Sequence, residues 1–129
     1  MHAVDTNVLV RLLTGDDVEQ TKRVAALFKK EIIFIPKTVL LETEWVLRRL
    51  YCLERKAAVS VLRKVSGLAN VEIENPLVVT QALQWCDAGM DFADALHLAS
   101  SHGSAKFATF DVRLKKSAPN DIRQTIVSL

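Results

Sequence analysis

His2-Ala3-Val4-Asp5-Thr6-Asn7-Val8-Leu9-Val10 opens the chain and decides how the rest is read. A short apolar strand ends on Asp5, and at Thr6-Asn7 the chain turns into an amphipathic helix with Val8, Leu9 and Leu12 on its apolar side. Asp5 is thereby expected at the carboxyl end of a strand, the place where ligands bind in open α/β sheets. Lys106-Phe107-Ala108-Thr109-Phe110-Asp111 repeats the pattern near the other end, a strand closing on Asp111. Between the two, Glu42 and Asp94 stand in otherwise apolar helices. The pattern predicts four acids converging on one site.

The 129 residues, half of them hydrophobic and with only four Gly and three Pro, suit one domain spanning 1–129 with a core that needs no disulfide or structural metal. No apolar run approaches the roughly 20 residues of a transmembrane helix, and the N-terminus reads as strand, not signal peptide, so a cytoplasmic location is expected. Cys52 and Cys86 stand apart from each other and from the histidines, as reduced, partly buried thiols do. The net charge of +2 does not itself argue for nucleic acid. Its distribution says more. Lys37 to Lys64 carries seven Lys and Arg against three acids, Val65 to Ala105 carries five acids and no Lys or Arg, and the remainder carries five bases against two acids. An acidic patch flanked by basic segments attracts a cation at its centre and a polyanion at its rim.

Along the chain, Asp16 or Asp17 caps a helix running to about Lys30, with Val24, Ala25, Leu27 and Phe28 on its apolar face. Glu31 to Ile35 is a continuous β-branched and aromatic run, the mark of a strand buried on both faces of a parallel sheet. Helices follow over Thr38 to Tyr51 and Leu53 to Leu68, then a strand at Val71-Glu72-Ile73. Asn75 as N-cap and Pro76 at the first helical position open another helix to about Ala88-Gly89. The next runs from Phe92 to about Ser101 and ends at His102-Gly103, with Gly103 as a left-handed C-cap. A basic helix at Val112 to Lys116 and a last strand at Thr125-Ile126-Val127 complete the chain. Strands alternating with helices predict an α/β fold with a mainly parallel sheet covered on both faces.

Glu42 has Val39, Trp45 and Val46 three and four residues away, which puts it at the margin of the apolar stripe and off the face carrying Glu44 and Arg48. A salt bridge to Arg49 or another nearby base is the alternative to a site role. Asp91 suits an N-cap and Asp94 the third residue of the same helix, whose apolar remainder directs Asp94 inward. Asp5 and Asp111 each follow an apolar strand and are not placed as ordinary exposed charges, although a turn or cap role is open to both. Carboxylates gathered within a few Å repel one another unless a cation lies between them, and Mg²⁺ or Mn²⁺ suits an all-oxygen site. Thr6, Asn7 and Thr109 lie beside the acids as supporting residues. No glycine-rich phosphate loop and no nucleophile elbow is present, and no Cys adjoins a credible base. His97 is expected to pack against the sheet.

Asp5-Thr6-Asn7 after a first strand, Glu42 early in the third helix, Asp91-Phe92-Ala93-Asp94-Ala95 opening a late helix, and Ala108-Thr109-Phe110-Asp111 ending a strand resemble the PIN-domain ribonucleases, and among them the small VapC toxins of bacterial toxin–antitoxin pairs. The resemblance covers the whole chain. It implies a three-layer α/β/α sandwich, Mg²⁺- or Mn²⁺-dependent endonucleolytic cleavage of RNA, frequent homodimers, and a cognate antitoxin whose tail enters the acidic groove. Carried over, Asp5, Glu42, Asp94 and Asp111 would be the catalytic metal ligands, with Thr6, Asn7 and Asp91 in support. The chemistry implied is hydrolysis by metal-activated water, leaving a 5′-phosphate and a 3′-hydroxyl.

The RNA-binding rim is expected among Arg11, Lys37, Arg48, Arg49, Lys106, Arg113, Lys115 and Lys116. Leu40, Leu47, Leu50 and Tyr51 suggest a dimer surface on the helices between Thr38 and Leu68. The alternatives are a non-catalytic RNA- or protein-binding module that keeps the nuclease fold, a nuclease acting on DNA, and a phosphoacceptor receiver domain. The receiver pattern requires paired acids after the first strand and a late lysine, and this chain has neither.

Overall fold

The computed structural model describes residues 1–101, 103 and 105–129. The chain divides into two compact units, Met1–Pro76 and Leu77–Leu129.

In the first unit the strands β1 (His2–Ala3), β2 (Ile33–Ile35) and β3 (Val71–Ile73) form a parallel sheet in that order. His2 stands opposite Ile33, and Ile33 opposite Val71. Parallel neighbours require a crossover between them. The helices α1 (Thr6–Thr14) and α2 (Val18–Lys30) make the first crossover, and α3 (Lys37–Arg49) and α4 (Arg55–Ser66) make the second. The central strand is the most deeply buried, with Ile33 and Ile35 fully enclosed, as its unbroken apolar run predicts. Leu9, Leu40, Leu47, Val59 and Leu62 complete this core. Of the expected apolar face of α2 only Val24 is buried, while Ala25, Leu27 and Phe28 are half-buried.

Each boundary has a local cause. Asp17 caps α2 by accepting the Gln20 N–H at 3.0 Å. Gly15 ends α1 with φ 64°, a conformation that glycine adopts without strain. Asn75, expected as the N-cap, stands just ahead of the next helix at φ 47°, in the left-handed region that Asn tolerates better than most residues. The α1–α2 turn is tied down through Asp16, whose carboxylate accepts from the Tyr51 hydroxyl, the Thr14 hydroxyl and Arg11. The Tyr51 hydrogen bond is the largest influence holding the Asp16 carboxyl below its ordinary value; desolvation opposes it, and Thr14 and Arg11 assist. A lowered carboxyl contributes stability above its unfolded value, and that contribution is lost as the pH falls through the folded one. Asp16→Asn therefore melts slightly lower than the wild type at pH 7, and the gap closes in acid; an equal gap at pH 7 and pH 2.5 in thermal melts would refute this.

The second unit holds α5 (Pro76–Asp87, beginning on the boundary residue), α6 (Phe92–Ala99), α7 (Val112–Ser117), and the strands β4 (Phe107–Thr109) and β5 (Ile126–Ser128), which pair in parallel with Phe107 opposite Ile126. A 3₁₀ turn at Arg123–Thr125 leads into β5. α6 stops at Ala99 with Ser100 as its cap, earlier than expected, and Gly103 is not in the left-handed region. The Ser100 N–H already closes onto the Leu96 and Leu98 carbonyls, so the helix end is satisfied without it. His102 lies outside the described residues. His97 was expected against the sheet and is exposed, because α6 buries Phe92, Ala95, Leu96 and Leu98 and turns position 97 outward. Cys86 is buried, but Cys52, expected to be partly covered, is exposed. No described helix is long and apolar enough to cross a membrane.

Candidate functional site

Asp5 lies two residues beyond β1, not at its last ladder position, and the same is true of Asp111 and β4. Both are exposed, which the sequence reading did not expect. Each has become the N-cap of the following helix, where extended backbone and a short carboxylate satisfy free N–H groups. Oδ1 of Asp5 accepts from the Val8 N–H at 3.1 Å, and Oδ1 of Asp111 accepts from Arg113 and Leu114 at 2.8 and 3.3 Å. In both, Oδ2 makes no hydrogen bond among the described residues. The cap thus fixes the carboxyl and leaves one oxygen available.

In the first unit Asp5, Thr6, Asn7, Glu42 and Val46 line a cleft of about 210 Å³. The buried Thr6 hydroxyl donates to Oε1 of Glu42 and binds the start of α1 to α3. Glu42 is thereby held beside Asp5, with Thr6 rather than Arg49 as its partner. The apolar stripe of α3 does not fall beside Glu42, where Val39, Trp45 and Val46 predict it. Leu40, Thr43, Glu44 and Leu47, at spacings of three and four, form the buried face, so Glu44 is enclosed while Glu42 and Trp45 are exposed. Glu44 was assigned to the polar face and is instead 1% exposed, where Oε2 accepts from Arg48 Nε at 2.6 Å and Oε1 from Nη2 at 3.1 Å. The missed signal was an acid in register with Leu40 and Leu47 and followed four residues later by an arginine. Arg48 accordingly leaves the expected RNA rim, and Leu40 and Leu47 leave the expected dimer surface for the core.

In the second unit Asp91 caps α6, its Oδ2 accepting the Asp94 N–H at 3.3 Å. Asp94, in the first turn, is half-buried. Its carboxyl is raised above the ordinary value, first by desolvation and then by the negative charges of Asp91 and Asp111, with His97 opposing. This site therefore gathers negative charge and favours a proton or a cation. The Thr109 hydroxyl oxygen accepts the Asp111 N–H at 2.9 Å and fixes the turn between β4 and α7.

The structure thus brings Asp5, Thr6, Asn7 and Glu42 together in one unit, and Asp91, Asp94, Thr109 and Asp111 are placed by the other. Among the described residues no three acid, His or Cys side chains are gathered closely enough to hold a metal ion. The donor set itself fits a hard divalent ion, being all oxygen, with free Oδ2 atoms on Asp5 and Asp111 and a carboxylate at Asp94 that its neighbours disfavour. Of the named basic residues, Arg49, Lys106 and Arg113 are exposed, and Arg11 is tied to Gln20 and Asp16.

The PIN domain family matches residues 3–118, a span that includes all four acids, and the chain belongs to that family. Its α/β/α fold agrees with the seven helices and all-parallel strand pairs of the described residues. PIN domains are in general Mg²⁺-dependent nucleases that act on RNA, so this is a fold of the metal-dependent nuclease type. Comparison with curated proteins returned no match.

Proposed function

We propose that the chain is a metal-dependent endoribonuclease and the toxin component of a VapC-type toxin–antitoxin pair, acting as a single domain over residues 1–129. The observation that carries this reading is the family match that spans Asp5, Glu42, Asp94 and Asp111 together. These four would hold Mg²⁺ or Mn²⁺. An ion held there would supply Lewis acidity toward water and the phosphate.

The chain's own residues do the positioning. The Val8, Arg113 and Leu114 N–H groups clamp the Asp5 and Asp111 carboxyls by one oxygen each. The Thr6 hydroxyl orients Glu42, while Asn7, Asp91 and Thr109 act in support. Arg11, Arg49, Lys106 and Arg113 are the proposed contacts with the RNA backbone, where a cation steers and holds phosphates. A cognate antitoxin protein and a second copy of the chain are the proposed partners. Trp45 and Leu50, at 50% and 68% exposure, are the apolar residues of α3 and its cap that such a contact would cover. Light scattering at micromolar concentration then reports a dimer, and a monomer would count against that contact.

The test is cleavage of end-labelled structured RNAs, transfer RNAs included, with Mg²⁺, Mn²⁺ or EDTA and with Asp5→Asn protein alongside. Discrete fragments with 5′-phosphate ends, made only by wild type and only with metal, are expected. Folded protein that binds Mn²⁺ and cuts none of these RNAs favours the non-catalytic binding module instead.

A further inference from the structure

Asp5 and Asn7 face a second cavity besides the one they share with Glu42. It holds about 320 Å³, lies wholly in the first unit, and is lined by Arg11, Gln20 and Arg23 with Val8 and Val24 as its apolar wall. We propose that this cavity is a subsite for one nucleotide of the RNA strand beside the phosphodiester to be cut, and that it prefers a base presenting a carbonyl over one presenting an amine. The proposal rests on the nuclease reading above and adds to it where the strand lies and what is read.

Three features support it. The volume falls in the range of small-ligand sites, and the cavity meets the acidic cleft at Asp5, so its occupant would be a neighbour in the same strand. Its charge suits a phosphate at Arg23, the guanidinium of the lining that no carboxylate among the described residues neutralises. Arg23 forms no ion pair or hydrogen bond among the described residues, which leaves its planar fork able to take a phosphate oxygen pair. Arg11, by contrast, is fixed, Nε donating to Oε1 of Gln20 at 2.7 Å and Nη1 to Asp16 at 3.1 Å.

That fixed contact determines what Gln20 offers. An arginine Nε–H can only donate, so the Gln20 amide must present its oxygen to Arg11 and is left with its NH₂ free. Beyond Asp5 and Asn7 at the mouth, the polar groups of the cavity are donors. Such a lining pairs with the O4 carbonyl of uracil or the O6 carbonyl of guanine, and leaves the N4 amine of cytosine or the N6 amine of adenine, which occupies the same place on the base edge, without an acceptor.

The experiment uses full-length Asp94→Asn protein in EDTA, so that neither hydrolysis nor metal enters. Backbone amide NMR shifts are followed on titration with uridine 5′-monophosphate, cytidine 5′-monophosphate and inorganic phosphate. Saturating shifts centred on Val8, Gln20, Arg23 and Val24 are expected. The uridine nucleotide should bind about fivefold tighter than cytidine and about tenfold tighter than phosphate, from one added hydrogen bond and the buried base. Arg23→Ala should weaken it about tenfold, and Gln20→Glu, which has no NH₂, should erase the preference for uridine. Phosphate binding as tightly as the uridine nucleotide, equal binding of the two pyrimidines, or shifts elsewhere would each overturn the subsite. Nucleotide binding here without RNA cleavage by the wild type defeats the nuclease reading alone; cleavage without binding here defeats the subsite alone.

Discussion

Asp94→Asn lowers kcat for RNA cleavage by about a thousandfold or more while the protein stays folded, because a neutral amide neither offers a charged oxygen to a metal ion nor keeps the negative field of the site. The same substitution stabilises the metal-free protein. Burial and the charges of Asp91 and Asp111 hold the Asp94 carboxyl above its ordinary value. A raised carboxyl adds stability below its unfolded value, and that contribution disappears as the pH rises through the folded one, so at pH 7 the ionised group opposes folding. The variant therefore melts above wild type at pH 7 in EDTA, and the gap narrows toward pH 4. A variant that cleaves RNA at the wild-type rate removes Asp94 from the site; one that melts below the wild type at pH 7 removes the electrostatic account.

The second large effect lies in α3, away from the proposed chemistry. Arg48→Met keeps the apolar stem but leaves Glu44 enclosed without its charged partner, at a cost of about 3 kcal/mol. For a chain of this size that lowers the melting temperature by about 10 °C. Replacing both members, Glu44→Leu with Arg48→Met, restores stability to within about 1 kcal/mol of wild type, because a buried ion pair is often no better than a well-packed apolar pair. Equal melting of wild type and Arg48→Met would mean that Glu44 is satisfied without Arg48.

The elements of the fold were legible where one physical signal dominated. The run at Glu31 to Ile35 marked a strand buried on both faces, and Asp16 or Asp17 and Asp91 marked helix starts. Legibility failed where two phases of one helix were both plausible. In α3 the large side chains Trp45 and Val46 drew the apolar stripe onto the Glu42 side, whereas burial follows Leu40, Thr43, Glu44 and Leu47. A polar side chain with its partner one turn away reads as a surface pair unless its register with the leucines is weighed first. In α6 the run Ala95 to Ala99 is apolar on nearly every side, so its pattern did not tell which side faces out, and His97 was misplaced.

For the site, the acids were found by residue type and by the resemblance, and their local roles were half seen. The cap role open to Asp5 and Asp111 is the one they adopt, and it coexists with a free oxygen on each. Gln20 and Arg23 went unnoticed because they sit on the exposed side of an ordinary charged helix, and only their position across from Arg11 and Asp5 sets them apart.

The central claim is that Asp5, Glu42, Asp94 and Asp111 hold a divalent metal ion. Mn²⁺ binding to the full chain, followed by electron paramagnetic resonance, tests it most directly in wild type, Glu42→Gln and Asp111→Asn. The account predicts that either substitution weakens Mn²⁺ binding at least about tenfold, as losing one carboxylate ligand should. Undiminished Mn²⁺ affinity in Asp111→Asn would contradict that claim.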